Sequence, residues 1–243
     1  MTLLRRVVRW LLMAAMLLLV IPVMQVLALR WLNPTFTLTM AQRVIEHSID
    51  QRRPVWVDYQ PVRLSADHPS KRAFVASEDA LFYAHRGFDW PSICHALQTN
   101  TKDRRHGGST ISQQVAKNVF LWQHPSYVRK AIEAYYTLLM EMMLSKERIL
   151  DVYLNIAETG PLTFGVQAGA QHHFQVNADA LTLTQSGQLA GLLPGPQTRS
   201  IRGAQAQARG RFVRKYPAPF PTDASFARLD PPLWPTCVFG ADE

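Results

Sequence analysis

The sequence predicts a mainly α-helical protein with a single N-terminal transmembrane helix. Three observations carry this. An uncharged run, Trp10–Leu29, follows Arg5, Arg6 and Arg9. Beyond Pro69 the apolar residues recur at helical spacing. The strand-like runs, Phe36–Met40 and Val55–Tyr59, are short and confined to a segment punctuated by Pro34, Pro54 and Pro61.

The N-terminal run sets the compartment. Twenty uncharged residues span about 30 Å as a helix, the thickness of a bilayer core. A signal peptide is the rival, but its apolar region is shorter and needs a small-residue cleavage site. Ala28 is followed by Leu-Arg-Trp, a poor site. Pro22 and Gln25 are tolerable in a membrane helix. Three arginines before the span outvote Arg30 after it, which places the N-terminus in the cytoplasm. The expected organisation is a cytoplasmic stub and span over 1–32, a connector over 33–68, a helical domain over 69–215 and a proline-rich tail over 216–243. Everything after the span is expected outside the cytoplasm.

The helices follow in order. Residues 39–53 suit a helix lying near the membrane surface. Ser70–Leu81 places Ala73, Phe74, Ser77 and Leu81 on one side. Thr110 and Gln113 fit a capping box that starts a helix running through Trp122. Tyr127–Met143 carries apolar residues over much of its surface and is expected to be largely buried. Ser145 caps a helix reaching Glu158, and Thr182-Leu-Thr-Gln185 starts another that ends at Leu193-Pro194. About seven helices result, with strands at most in the connector.

Charge narrows the partners. A formal net charge of +8 implies an anionic one: nucleic acid, lipid headgroups or a phosphorylated substrate. No nucleic-acid-binding motif is present, so nucleic acid is not expected. Cys94 and Cys237 are too few and too far apart for a zinc site or a disulfide framework. A single disulfide between them is the less favoured reading.

The side chains suited to chemistry gather between Ala73 and Glu133. Glu78 and Asp79 sit amid apolar residues, and Glu78 falls at the edge of the buried helix face. A carboxylate in such a setting is a candidate general base with a raised pKa. A solvated helix end is the equally weighted alternative. His85 stands without a second histidine at helical spacing, which argues against zinc. A glycine turn then opens a helix bearing Ser109, Thr110, Gln113, Gln114, Lys117 and Asn118. Neutral donors and one cation suit a ligand with several oxygens. An ordinary capped helix with a solvated lysine is the competing account. Arg129, Lys130 and Glu133 are charges on an otherwise buried helix, where charge is paired or used.

Four blocks, in order, carry a family resemblance: EDALFYAHRG over 78–87, GGSTISQQVAKN over 107–118, RKAIE over 129–133 and KERILDVYLN over 146–155. The chain resembles the peptidoglycan glycosyltransferases, specifically the monofunctional, membrane-anchored biosynthetic transglycosylases. The resemblance covers about Arg72 to Pro196. It implies a lysozyme-like helical fold and growth of β-1,4 glycan strands from lipid II on the outer face of the cytoplasmic membrane. It makes Glu78 the general base and Glu133 the second carboxylate. Lys117, Lys130 and Arg129 would stabilise the leaving diphosphate, with Ser109, Thr110, Gln113, Gln114 and Asn118 lining the substrate. A divalent cation, magnesium or manganese, is compatible with this chemistry and not required by it. No metal ligand is assigned. Implied partners are lipid II, the growing glycan strand, membrane lipids and, optionally, other cell-wall synthesis proteins.

Departures temper the resemblance. The family usually carries an arginine eight residues after the motif lysine; here that position is Pro125, beside His124. Arg209, Arg211 and Arg214 only loosely echo the family's last motif. The absence of a following transpeptidase domain fits a monofunctional enzyme. A lysozyme-like murein hydrolase and a weakly active scaffold of cell-wall synthesis are the alternatives. The cationic residues argue against the first, because hydrolysis by water needs no diphosphate site.

Overall fold

The computed structural model describes residues 2–99 and 108–218. The helices are α1 (Thr2–Leu29), α2 (Leu38–Asp50), α3 (Pro69–Glu78), α4 (Trp90–Thr99) and α5 (Ile111–Phe120). They continue with α6 (Tyr127–Met143), α7 (Lys146–Ile156), α8 (Gly165–Phe174), α9 (Leu183–Ala190) and α10 (Ala204–Lys215). Strands β1 (Asp58–Tyr59), β2 (Glu158–Gly160) and β3 (Thr163–Phe164) form a small sheet of order β1-β3-β2. β1 runs parallel to β3, and β2 antiparallel to it.

The mainly helical expectation holds, with differences in detail. Helices α4, α8 and α10 were not among those read from the sequence. α8 lacks a side-chain cap, and α10 follows Gly203 without one, so neither carries the usual start signal. Two of the three strands lie outside the connector, after α7. That helix stops at Ile156 because Ala157 turns extended, and Glu158 becomes a strand residue. Phe36–Met40 is not a strand: Thr37 turns the chain and caps α2 by accepting from the Met40 amide at 3.2 Å. Cys94 is disulfide-bonded, against the less favoured standing given to a disulfide. Cys237 and the expected extended tail beyond residue 218 lie outside the described residues.

The expected span over Trp10–Leu29 includes positions 11, 12, 14 and 15, whose side chains also lie outside the described set. Among the described residues, no helix is long and apolar enough to cross a membrane. The backbone of α1 is one continuous helix of 28 residues. Its C-terminal end docks on α6, where Val26 and Leu29 are buried and the Tyr136 hydroxyl bonds the Gln25 side chain at 2.5 Å. Arg148 of α7 donates to the carbonyls of Leu29 and Leu32 and so holds the exit from α1.

The core sits between α3, α5, α7 and α9. Phe74, Ile111, Leu150, Tyr153 and Leu189 are buried there, with Phe74 edge-on to Tyr153 at 6.2 Å. α3 packs on α9, and α5 packs on both α6 and α7. Capping decides where these helices begin. Thr110 and Thr182 make full capping boxes with Gln113 and Gln185. Ser126 and Ser145 cap α6 and α7. His68 caps α3, with Pro69 in its first turn, where proline is favoured.

The connector is bound to this core by Asn155 at the end of α7. Its buried amide accepts from the Val62 N–H at 2.7 Å and donates to the Val62 carbonyl at 2.9 Å. Asn155→Ala strands both groups, so a loss of about 2–4 kcal/mol in unfolding free energy is expected. Urea denaturation checks it: a loss below about 0.5 kcal/mol would mean that the connector docks by other contacts.

Candidate active site

Asp79 builds the site. It ends α3 in a non-helical conformation and is buried. Its carboxylate accepts from His85 Nε2 at 2.9 and 3.0 Å and from the Ile111 N–H, at the start of α5, at 2.9 Å. A carboxylate at a helix N-terminus is favoured by the exposed N–H groups there. His85 Nδ1 accepts from the Gly87 N–H at 3.1 Å, so Nε2 carries the proton that faces Asp79. Gly87 adopts φ +89°, and a Cβ there would lie 2.8 Å from Thr137. Its carbonyl accepts from the Thr110 hydroxyl at 2.7 Å. The end of α3 and the start of α5 are thus one hydrogen-bonded unit.

That unit brings Glu78 to Gln114. Gln114 Nε2 donates to Glu78 Oε2 at 3.3 Å, and Gln114 Oε1 accepts from the Tyr153 hydroxyl at 2.9 Å. Glu78 borders a cavity of about 270 Å³ with Asp79, Asp89, Ser92, Ser109 and Thr110. Protein encloses its carboxyl closely although the residue still touches solvent. Burial raises its pKa, opposed by the Gln114 bond and by the charges of Arg209 and Arg199.

Gln114 itself lines a second cavity of about 250 Å³, together with Arg43, Lys117, Asn118, Gln123 and Glu158 among others. Burial pulls the Lys117 pKa down, partly offset by the charge of Glu133. Glu133 is itself buried on α6 and held by Arg129 at 2.6 Å and Lys130 at 2.5 Å. The buried Nε of Arg129 has no hydrogen-bond partner among the described residues. A cavity of about 590 Å³ near Arg63 and His68 contains none of the predicted site residues.

The structure therefore places Glu78 on one cavity and Gln114, Lys117 and Asn118 on another, links the two by the Glu78–Gln114 bond, and sets Glu133, Arg129 and Lys130 near enough to act on the Lys117 charge. Thr110 and Gln113 spend their side chains on the capping box, while Ser109 is exposed on the Glu78 cavity. Gly107 lies outside the described residues. His124 and Pro125 are exposed and do not line the Lys117 cavity. Pro125 precedes the Ser126 cap, so it stands before the first turn of α6.

Sequence reasoning missed Arg43. It reaches the Lys117 cavity from α2 and pairs with Glu158 of β2, both carboxylate oxygens lying 3.1 Å from Nε. Gln197 also bonds Glu158. The available signal was Thr39 and Arg43, four apart on one helix face, within a segment read only as a connector.

Comparison with known proteins decides the family. The family model described as Transglycosylase matches residues 42–215. The chain belongs to the transglycosylase family. A protein of Pseudomonas aeruginosa named biosynthetic peptidoglycan transglycosylase is 43% identical over 204 residues, covering 79% of this chain and 84% of its own length. One of the same name from Xanthomonas campestris pv. campestris is 42% identical over 215 residues, covering 87% of each chain. The family match takes in most of α2, consistent with the place of Arg43 in the cavity wall.

The raised pKa of Glu78 has a testable consequence for stability. A carboxyl that holds its proton more tightly when folded opposes folding once the pH rises above the ordinary glutamate value of 4.5. Glu78→Gln should therefore melt higher than wild type at pH 7–8, and the difference should vanish near pH 4. Each kcal/mol regained corresponds to about 2–4 °C for a domain of this size. Melting curves across that range check the sign; a variant less stable at pH 8 than wild type would contradict it.

Proposed function

We propose that the chain is a peptidoglycan glycosyltransferase that polymerises lipid II into β-1,4 glycan strands by inverting transfer from a polyprenyl-diphosphate donor. One observation carries the reading. A carboxylate hydrogen-bonded by a neutral amide adjoins, through that same amide, a cavity lined by the half-buried cations Arg43 and Lys117. Names borne by relatives at 42–43% identity support it.

In this reading the acceptor sugar's 4-hydroxyl lies on the Glu78 side. Its oxygen attacks the donor's anomeric carbon from the face opposite the diphosphate. The new C–O bond forms as the bond to the phosphate oxygen breaks, which inverts the α linkage to β. Glu78 takes the hydroxyl proton, a general-base step worth about 10²–10⁴-fold. The electron pair leaves on the diphosphate, whose added charge is met by Lys117, Arg129 and Lys130 rather than by a proton. Arg43 adds a further positive group to the same wall. Ser109 and Asn118 supply polar contacts to the sugars. Glu133 keeps Arg129 and Lys130 in place.

Among the described residues, no three His, Cys, Asp or Glu side chains gather to cage a metal. A divalent cation would therefore be held chiefly by the substrate, with Glu158 the carboxylate on the wall of the Lys117 cavity, and would supply charge neutralisation. A murein hydrolase reading leaves these cations without a role.

The anchor belongs to the same proposal. Val7, Trp10, Met16, Leu18 and Leu19 are exposed apolar residues on α1, within or beside the uncharged run. A helix with so many apolar residues facing outward is explained by lipid around it. The arginines before it put the N-terminus in the cytoplasm and the catalytic domain on the outer side.

Two experiments test the reading. Glu78→Gln should lose at least 100-fold of lipid II polymerisation, scored as product digestible by muramidase. A variant within tenfold of wild type would remove Glu78 as the base. For topology, protease added to spheroplasts should digest the domain, whereas protection until lysis would reverse the orientation.

A further inference from the structure

Tyr153 is among the most deeply buried side chains in the molecule, and neither the mechanism nor the family blocks give its hydroxyl a task. It lies on α7 with its ring edge-on to Phe74 of α3. A buried phenol requires a hydrogen-bond partner. The partner is Gln114 Oε1, at 2.9 Å, on α5. The other end of that amide donates to Glu78 Oε2 at 3.3 Å. Three residues from three helices thus form one chain, from phenol to amide to carboxylate.

The chain has a direction. A primary amide presents an acceptor at one end and donors at the other. Burial pushes the Tyr153 pKa well above its ordinary value, with Glu78 and Asp79 adding to the effect, so the phenol keeps its proton. Among the described residues, the only acceptor recorded for that O–H is Gln114 Oε1. Satisfying the O–H therefore fixes Oε1 toward Tyr153 and turns the N–H₂ toward Glu78. The reversed amide would leave a buried O–H unpaired and aim carbonyl lone pairs at a carboxylate. Both changes are unfavourable.

We propose that Tyr153 is a positioning residue that sets the direction of the Gln114 amide and so holds Glu78 as the ionised, correctly oriented base. The inference rests on the reading of Glu78 as general base. The other charged groups acting on Glu78 are Asp79 beside it, Arg199 beyond α9 and Arg209 on α10. Among the described residues, Gln114 is the hydrogen-bond donor recorded for its carboxylate. Without a fixed direction, the amide populates the orientation that repels the anion. The base is then protonated over more of the pH range.

Tyr153→Phe isolates the effect, because it keeps the ring against Phe74 and removes only the hydroxyl. Lipid II polymerisation by the full chain is measured from pH 5 to 9, with melting temperature in parallel. The acidic limb of the kcat profile should move to higher pH, with kcat at pH 6 lower by on the order of tenfold and KM little changed. 4-Aminophenylalanine at position 153 restores a donor and should return the limb toward wild type. A Phe variant that is folded and active with an unmoved limb, or a limb that 4-aminophenylalanine fails to restore, overturns the proposal. Should Tyr153→Phe not fold, 4-fluorophenylalanine, which restores volume without an O–H, replaces it under the same two outcomes. Failure of the underlying reading looks different, since Glu78→Gln would then retain polymerisation whatever Tyr153 does.

Discussion

The buried carboxylate of Asp79 is the constraint on which the site depends. A charge in that position is tolerable only because His85 and the first amide of α5 both donate to it. The Ile111 bond joins positions 32 residues apart in the chain, the His85 bond ties in the turn after α3, and together they hold the end of α3 against the start of α5. Glu78 immediately precedes this carboxylate, and Gln114 stands one turn beyond the amide. The distance between the Glu78 carboxylate and the Gln114 amide is therefore inherited from a structural bond rather than set by either residue. The capping box of Thr110 and Gln113 reinforces the same junction, with Thr110 also tied to the loop that carries Gly87.

A second layer of bonds holds α5 to the helices behind it. Glu141 of α6 accepts from Ser112 of α5 and from Lys146 at the start of α7, the latter at 2.8 Å. Lys71 of α3 pairs with Asp151 of α7 at 2.8 Å. Each of these charges is largely removed from water and is paired, the condition under which buried charge is tolerated. They explain why a site made from several helices keeps its geometry: α3, α5, α6 and α7 are joined by polar bonds as well as by the apolar core.

Much of this was legible in the sequence, and the reasons are local. The Thr110 and Thr182 capping boxes and the Ser145 cap are short-range signals, and the structure has helices starting where they point. Glu78 at the margin of an apolar face was legible from helical spacing alone. What could not be read depends on distance in the chain. α8 and α10 start without side-chain caps, and β2 and β3 are two or three residues long. The Arg43–Glu158 pair spans 115 residues, and no local pattern announces it. The resemblance gave both Gln113 and Lys117 a place against the substrate. The structure separates them, because capping turns Gln113 inward while Lys117 reaches the cavity.

The two glutamates of the site show how one fold gives like residues unlike work. Glu133 is held by two cations on its own helix, and a proton placed on it would weaken both ion pairs. It is thereby committed to orienting Arg129 and Lys130. Glu78 has no salt bridge among the described residues; its recorded hydrogen-bond partner is a neutral amide, and burial already eases proton uptake. A group that must receive a proton in the reaction is best left without a strong cationic partner, and one that must hold cations in place is best saturated by them. Gln114 suits the boundary between these two regimes. A cation there would hold the carboxylate in its charged form, whereas an apolar residue would remove the bond that opposes the rise in its pKa. The amide lies between these extremes, and a single side chain separates Glu78 from the Lys117 cavity.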